Sequence, residues 1–484
     1  MAKLVKNELV KIFHKKGIYI LSGILTAIML LSLVVSKIDL GSLLEENFSD
    51  TYYDTLEKTL ETYDLNDKDE VMWYIDGKVD LEMHNLTKDL DYESPEYYYI
   101  DNEIQSILTN MYNAKYLNKN NEEYEAYQKQ YDEIVKNLEH FDWKVSVRES
   151  RDALLKDRDS LTAQLKEAST DALKESLQEE IEGIGYQIKA LDYRLNNDVA
   201  PAYADDSYMV DNYVSAALSY SSLNKDESVY KDRAELIRKR EIVKEYNEAK
   251  YKIENNIVSS GDITLQDEAM TIFNQTDMFV LIAFLIIAGG IIAEEFNKGT
   301  IKQLLLRPFT RGKILTSKII AAVIATFIFA CFYYFMDLLI VGLMNNEFKS
   351  IFEPIVVYNF NTESIVLYST FTYCLKCLLA VLPEYFMMFS LCILVGILTT
   401  NTVACVVSVF GVSVLHGLLS MSLPEKIMAF MPTSCMNFTQ YLFGGISTNK
   451  YQTLLSSSII YAITLIVIVA ISYMAFKKKD IKNQ

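Results

Sequence analysis

Apolar and polar positions divide the chain into unbroken apolar runs, which lie near the N-terminus and in the second half, and a long polar middle in which apolar residues recur every three or four positions. Residues Met1 to Lys16 set Val5, Leu9, Ile12 and Phe13 at helical spacing among Lys3, Lys6, Lys11, Lys15 and Lys16, the pattern of an amphipathic helix lying on a membrane surface. The apolar run Ile18 to Val35 follows, and at ~1.5 Å per residue it just crosses ~30 Å of hydrocarbon. It is long for a signal peptide and no small-x-small cleavage site follows, so it reads as an uncleaved first span with its N-terminus inside.

From Asp39 to Gln275 the pattern is that of packed helices. This region holds only two prolines, Pro95 and Pro201, and few glycines. Leu173, Leu177, Ile181, Ile184, Ile188, Leu191 and Leu195 mark one seam of a helix packed in coiled-coil fashion. Leu154, Leu161 and Leu165 precede it, and Ser169-Thr170-Asp171 reads as a break and cap between two segments. Gly183 and Gly185 argue against an unbroken rod. A turn over Asp198 to Asp206 leads to another helical stretch from about Lys225 to Ile257, so a helical hairpin is expected.

Apolar runs resume at Met278. Met278 to Ala293 crosses inward and Ile314 to about Leu343 outward, with Asn345 to Glu363 as a short outer loop. Ile365 to Leu398 returns and is interrupted by Pro383-Glu384, which predicts a tilted or broken helix. Thr399 to Thr402 forms a tight turn and Val403 to Leu419 rises again. Ser422 to Tyr451 stays outside with a helix start at Pro424-Glu425, and Leu454 to Ala475 descends to Lys477, Lys478, Lys479 and Lys482. The fold class expected is all-α: six transmembrane helices, with a large, mainly helical, coiled-coil-like extracellular domain between the first and second. Its divisions are residues 1–38, 39–275 and 276–484.

Charge sharpens this division. Residues 39–275 carry 53 acidic and 26 basic side chains, so the remainder is net basic although the whole chain stands at −18. An acidic extracytoplasmic body on a basic membrane portion suits a multi-pass plasma-membrane protein with both termini cytoplasmic, and the overall acidity argues against a nucleic-acid partner. The polar middle has no cysteine and holds 22 of the 33 tyrosines. A large outer domain without disulfides fits a Gram-positive envelope. The tyrosines suit a partly wet core or a surface that grips peptides or sugars.

The stretch Glu294 to Ile320 carries Lys298, Lys302, Arg307, Arg311, Lys313 and Lys318 against Glu294 and Glu295, which places it on the inner side. Ile301, Leu304 and Leu305 fall at helical spacing before Pro308 stops the backbone. Through Glu295, Phe296, Gly299, Thr300, Ile301, Leu304, Leu305, Pro308, Arg311, Ile314, Ser317 and Lys318 the chain resembles the membrane-spanning permeases of ATP-binding-cassette exporters, in the second-type superfamily. The resemblance covers the six spans and leaves out the outer domain. It implies that Glu294, Glu295, Phe296, Gly299, Thr300, Ile301, Leu304, Leu305, Pro308 and Arg311 belong to a coupling helix, about residues 295–312, that docks on a cassette ATPase. Two ATPase subunits holding ATP and magnesium would serve two permeases, identical or related, in contact with membrane lipid. The cargo classes implied include peptides, lipids and drugs, with resistance to an antimicrobial peptide as one biological role.

Enzyme chemistry is not legible in the chain. There is no GxxxxGK[ST] phosphate loop, so no ATP site and no cofactor of its own is expected. There is also no GxSxG elbow. His14, His84, His140 and His416 lack partners at metal-ligand spacing, and the Cys374/Cys377 pair sits in a span without a second pair, so no metal site is expected. Within the spans, Lys376 and Glu384 are candidates for lining a translocation path, and Asp337 reads as interfacial. The alternative function is a non-transporting envelope scaffold or receptor resembling the phage-infection proteins, which would have no use for an ATPase dock.

Overall fold

The computed structural model describes residues 1–31 apart from 17–18, 21, 25 and 28–29; then 52–138, 141–224, 227–257 apart from 231, positions 293, 295–296 and 300–301, and finally 309–344 and 354–479. The chain packs as two units, one of Met1–Val35, Asp226–Arg240 and Ile263–Gln484, the other of Ser36–Lys225 and Glu241–Asp262.

The second unit is helical for reasons visible at its helix ends. Helix α1 (Ala2–Phe13) belongs to the first unit; the acidic unit contains α2 (Lys68–Thr87), whose N-cap Asp67 accepts from the amides of Asp69 and Glu70, satisfying donors that the first turn leaves free. Ser94 caps α3 (Pro95–Tyr99), with proline in the first turn. A π-helical turn, Ile100–Ile104, leads into α4 (Gln105–Tyr112) and a second such turn, Asn113–Leu117. The wide turns keep Ile100, Ile104, Leu108, Met111 and Tyr112 on one buried face against Val71, Ile75 and Val79. Helix α5 (Asn121–Leu138) lays Tyr124, Tyr127 and Tyr131 over the same core.

Helices α6 (Trp143–Glu167), α7 (Asp171–Asn197) and α8 (Asp205–Ser221) follow, with α7 packed against both of the others. Thr170 accepts from the Leu173 amide at the expected break, and Asp198, at φ 60°, ends α7 in the left-handed conformation. Along the expected seam Leu177, Ile184 and Ile188 are buried while Leu173 is exposed. α7 runs unbroken through both glycines. At Gly183 an added Cβ would stand 3.3 Å from the Leu218 Cδ2 of α8, whereas at Gly185 it would meet nothing within 4 Å. Gly183 is thus a notch that admits α8, and the expected interruption gives way to a packing role. Buried Arg194 ties the α7–α8 turn by donating to Asp211 at 2.6 Å, to Ser207 Oγ at 3.0 Å and to the Ala200 carbonyl at 3.0 Å. Tyr213, Tyr246 and Ala249 join these helices in one core, Tyr246 coming from α9 (Arg233–Glu254).

Four helices of the first unit are long and apolar enough to cross a membrane among the described residues: α10 (Arg311–Met344), α11 (Thr370–Thr399), α12 (Thr402–Ser422) and α14 (Leu454–Lys478), with α13 (Glu425–Met428) a single turn. The described positions of the expected first span are helical, and of the expected second span only Ala293 is described. α11 continues through Pro383 as one helix of 30 residues. Thr400, at φ 54°, ends it, and Asn401 caps α12.

The all-α expectation needs one correction. Strands β1 (Pro354–Asn359) and β2 (Ser364–Ser369) form an antiparallel hairpin, pairing Ile355 with Tyr368 and Val357 with Val366. The run Ile365 to Tyr368 was absorbed into an apolar span, although short β-branched and aromatic runs fit strand and buried helix equally well. The hairpin is clasped from the chain between α13 and α14: the Phe360 amide donates to the Phe443 carbonyl at 2.9 Å, and Phe443 stacks on Tyr373 with centroids 5.4 Å apart. Gly444, at φ 83°, is required here because a Cβ would come within 2.7 Å of the Asn361 amide nitrogen. Arg233 and Arg240 of the first unit donate to the Ser447 and Gly444 carbonyls at 2.8 and 3.4 Å.

Both tryptophans, Trp73 and Trp143, lie in the acidic unit, so their fluorescence reports its unfolding. Gly185→Ala is expected to stabilise that unit by about 0.5–1 kcal/mol, the ordinary gain of alanine over glycine in a helix. Gly183→Leu is expected to destabilise it by about 1–3 kcal/mol through overpacking against α8. Denaturant titration of the purified protein checks both, and equal effects at the two positions would contradict the notch.

Candidate functional site

Helix α1 turns its apolar stripe toward α10. Leu4 and Ile12 are buried and Phe13 stacks on Phe329 with centroids 5.6 Å apart. Glu8 lies at i+4 from Leu4 and i−4 from Ile12, so helical geometry sends its carboxylate into the same stripe, where the residue is 5% exposed. On α10, Ile314 and Ala322 are buried one turn either side of Lys318, which is itself fully buried.

These two misplaced charges meet, and two more complete the arrangement. Lys318 Nζ lies 2.8 Å from Glu8 Oε2 and 2.7 Å from Glu295 Oε2, while Lys11 Nζ lies 3.0 Å from Glu8 Oε1 and 2.9 Å from Glu295 Oε1. Each carboxylate thus bridges both ammonium groups, and the four form a closed ring of zero net charge. Lys11 faces outward, with its side chain 47% exposed. The Lys318–Glu295 contact is an ion pair without an aligned hydrogen bond on Glu295 Oε2. Burial would raise the Glu8 carboxyl, but Lys318 and then Lys11 outweigh it and hold it below its ordinary 4.5. Burial likewise pulls Lys11 down, and Glu295 and Glu8 together hold it above its ordinary 10.5.

Around the ring, helix ends cap one another. Arg311 at the start of α10 donates to the Lys477 and Lys479 carbonyls at 2.9 and 3.1 Å, closing the end of α14. Lys479 donates to the Ile397 carbonyl and, at 3.0 Å, to the Leu398 carbonyl at the end of α11. Phe296 meets Phe476 edge-on, with centroids 6.3 Å apart, and Lys479 lies over the Phe296 ring at 5.3 Å.

Of the residues singled out from sequence, Glu295 enters the ring, Phe296 and Ile301 are buried in the adjoining core, and Arg311 caps α14. Thr300 is exposed. Glu294, Gly299, Leu304, Leu305 and Pro308 lie outside the described residues. Lys376 and Glu384 share α11, eight positions and so about 12 Å apart along its axis. Lys376 is exposed and rests 4.4 Å from the centre of the Tyr368 ring, donating to its hydroxyl at 3.2 Å; Glu384 is half-buried. The Asp337 side chain lies outside the described residues. Among those described, no cluster of three or more metal-ligating side chains occurs. Sequence reasoning missed Glu8 and read Lys11 and Lys479 only as basic residues marking the inner side. The signal for Glu8 was present, since an acid midway between Leu4 and Ile12 interrupts an apolar stripe.

Residues 237–482, just over half of the chain, match the family profile described as a protein of unknown function (DUF2705). The chain is 30% identical over 203 residues to the uncharacterized membrane protein YdbK of Bacillus subtilis, covering 41% of this chain and 76% of YdbK. It is 43% identical over 74 residues to the uncharacterized protein YhcI of the same organism, covering 15% of this chain and 23% of YhcI. No solved structure matches. The chain belongs to the DUF2705 family. The resemblance to exporter permeases is thereby corrected: no profile of that superfamily matches, and the family that does match is a different one. The residues that suggested it have local work to do, because Glu295 and Lys318 hold the ring and Phe296 and Ile301 fill the core. A basic amphipathic segment between apolar runs is a pattern that membrane proteins of separate families can share.

Removing one member of a buried ion pair strands its partner, at a cost of about 3–5 kcal/mol. Lys318→Met is therefore expected to destabilise the detergent-solubilised protein by that order. Adding Glu8→Leu should recover part of the loss, since Lys11 and Glu295 remain as a neutral pair. The pH dependence follows from the directions of shift: the Glu8 contribution is full above pH 4.5 and is lost as pH falls through its lowered value, and the Lys11 contribution is full below pH 10.5 and is lost as pH rises through its raised one. A melting-temperature profile that slopes between those limits in wild type and equally in Glu8→Leu/Lys318→Met would contradict this account.

Proposed function

We propose that this protein is a membrane-spanning transport subunit driven by a separate ATP-hydrolysing subunit, which docks where the 295–312 segment meets the ring. The observation that carries the reading is the way the described part of that segment is built into the junction. Glu295 binds Lys11 of α1 and Lys318 of α10, and Phe296 packs on Phe476 of α14. A push delivered to this segment reaches three helices at once, as a transmission element requires. ATP and magnesium belong to the partner, because the chain has no phosphate loop.

In this reading six spans cross the plasma membrane. Both termini and the ring are cytoplasmic, as the basic residues at Lys3 to Lys16, Lys298 to Lys318 and Lys477 to Lys482 favour. The acidic helical unit is extracellular and handles cargo or a partner outside. Two copies, or one copy and a related chain, enclose the path with two ATPase subunits beneath.

In a cysteine-free background, cysteines at Lys6 and Gly312 should react with an impermeant maleimide only after permeabilisation, and one at Asp157 should react in intact cells. The full chain purified from native membranes should bring with it a nucleotide-hydrolysing subunit, and Leu304→Asp/Leu305→Asp should lose it. On the order of 3–6 kcal/mol of apolar contact is removed, from about 1.5–3 for each buried leucine. Purification without such a subunit overturns the transport reading and leaves the envelope scaffold in its place.

A further inference from the structure

In the acidic unit, tyrosines and carboxylates are gathered at one place. Asp89 to Glu103 carries six acidic residues and no basic one, together with Tyr92, Tyr97 and Tyr98; Asp198 to Asp211 carries four acidic residues, no basic one, and Tyr203. The fold joins the two stretches. Tyr203, in the turn between α7 and α8, donates its hydroxyl to Asp101 of the first π-helical turn. Its ring stacks on Tyr92 with centroids 4.8 Å apart and planes within 12°, and Tyr98 meets it edge-on at 5.1 Å. Both rings of the stack reach the surface, Tyr92 being 57% and Tyr203 36% exposed.

Elsewhere in the same unit, tyrosines draw cations from their own chain. Lys115 lies over Tyr116 and Tyr124, Lys189 over Tyr213 and Lys250 over Tyr246, at 4.7 to 5.9 Å from the ring centres. Asp198 and Asp211 are likewise taken by Lys144 and Arg194. The stack differs. Among the described residues no lysine or arginine lies over Tyr92 or Tyr203, and none pairs with Asp91, Glu93, Glu96 or Asp101. An exposed ring amid uncompensated carboxylates attracts a cation twice, through the ring quadrupole and through Coulomb attraction. Neither stretch has a basic residue to supply it, so the cation that fits this surface comes from another molecule.

We propose that the Tyr92–Tyr203 stack is a docking site for a basic peptide segment of another molecule, with an arginine guanidinium laid against the exposed Tyr92 ring and a second positive charge among the neighbouring carboxylates. A guanidinium is planar, weakly hydrated and forked, so it stacks on a ring while donating to carboxylates; an ammonium gives up a tighter hydration shell for fewer aligned bonds. The carboxylates come from two chain segments that meet at the stack, which suits charges spaced along a peptide better than one small amine. The site stands on the acidic unit alone and does not depend on the transport reading.

The test measures, by fluorescence anisotropy, binding of a fluorescein-labelled glycine–serine peptide carrying two arginines to the full detergent-solubilised chain. Wild type should bind it, with affinity falling as salt rises, and should not bind the peptide in which neutral citrulline replaces both arginines. Two lysines should bind more weakly than two arginines. Tyr92→Ala should weaken binding about two- to fivefold, the range of an exposed cation–π contact, whereas Tyr92→Phe should keep it. Glu93→Gln/Glu96→Gln should weaken binding and flatten its salt dependence, while Glu179→Gln/Glu180→Gln, which removes two exposed carboxylates of α7, should leave it unchanged. Each variant should keep the wild-type denaturation midpoint by tryptophan fluorescence, and the glutamate pair tests the site independently of how Tyr92→Ala folds. Absence of binding, equal binding of the citrulline peptide, indifference to Tyr92→Ala, equal losses at the two glutamate pairs, or spermine binding as tightly as the peptide would overturn the proposal.

Discussion

Burying the Lys318 ammonium is the constraint on which the span-bearing unit turns. A charge taken wholly out of water is tolerated only beside opposite charges that are themselves well placed. The two carboxylates that meet this need come from distant parts of the chain, Glu8 standing 310 residues away from Lys318 in sequence. Their geometry is mutual: if α1 slid by one residue along α10, Asn7 or Leu9 would replace Glu8 and Lys318 would keep only Glu295 as its counter-charge. An apolar residue at position 318 would pack without that penalty for wrong registers. The ring therefore fixes where α1 and the 295 segment sit against α10, which a purely apolar seam fixes less sharply.

The same economy extends outward from the ring. The last carbonyls of a helix lack partners within it and concentrate the negative end of its dipole. Here two such ends receive a cation from another element. Arg311 closes α14, and Lys479, one residue beyond α14, closes α11. The basic residues that sequence reading takes as a marker of membrane sidedness are thus also structural donors. Their number reflects helix ends to be capped as well as the side on which they lie.

Much of this was legible before any coordinates. The helix start after Thr170, the turn between α11 and α12 and the amphipathic α1 follow from capping chemistry and periodicity, which are local. What was missed depends on contacts that sequence spacing does not contain. Gly183 looks like a helix breaker until Leu218 of α8 is seen against it. The hairpin strand Ser364–Ser369 merges into the following apolar run because periodicity does not separate a short strand from the first turns of a buried helix. Glu8 drew no reading, and Lys318 read only as an inner-side charge and as part of a resemblance, since nothing in either segment announces the other. Phe296 and Ile301 had the right apolar character, but the partner they pack against was assigned to another molecule on the strength of a resemblance.

The two ends of the span-bearing unit are held by different chemistry, and the difference matters for motion. At the hairpin end, the closure is aromatic stacking of Phe443 on Tyr373, a backbone hydrogen bond to Phe360 and the close approach that Gly444 permits. These three contacts are uncharged, and the cations that join them there, Arg233 and Arg240, meet carbonyls and not carboxylates. At the ring, every contact is an ion pair of zero net sum, and Lys11 is open to solvent. A carboxylate presented there by another molecule competes with Glu8 and Glu295 for Lys11, and each carboxylate freed loses half of its compensation in a place where charge is costly. The exposed Lys11 corner is therefore the point of the ring most open to competition from solvent ions, whereas Lys318 is shielded.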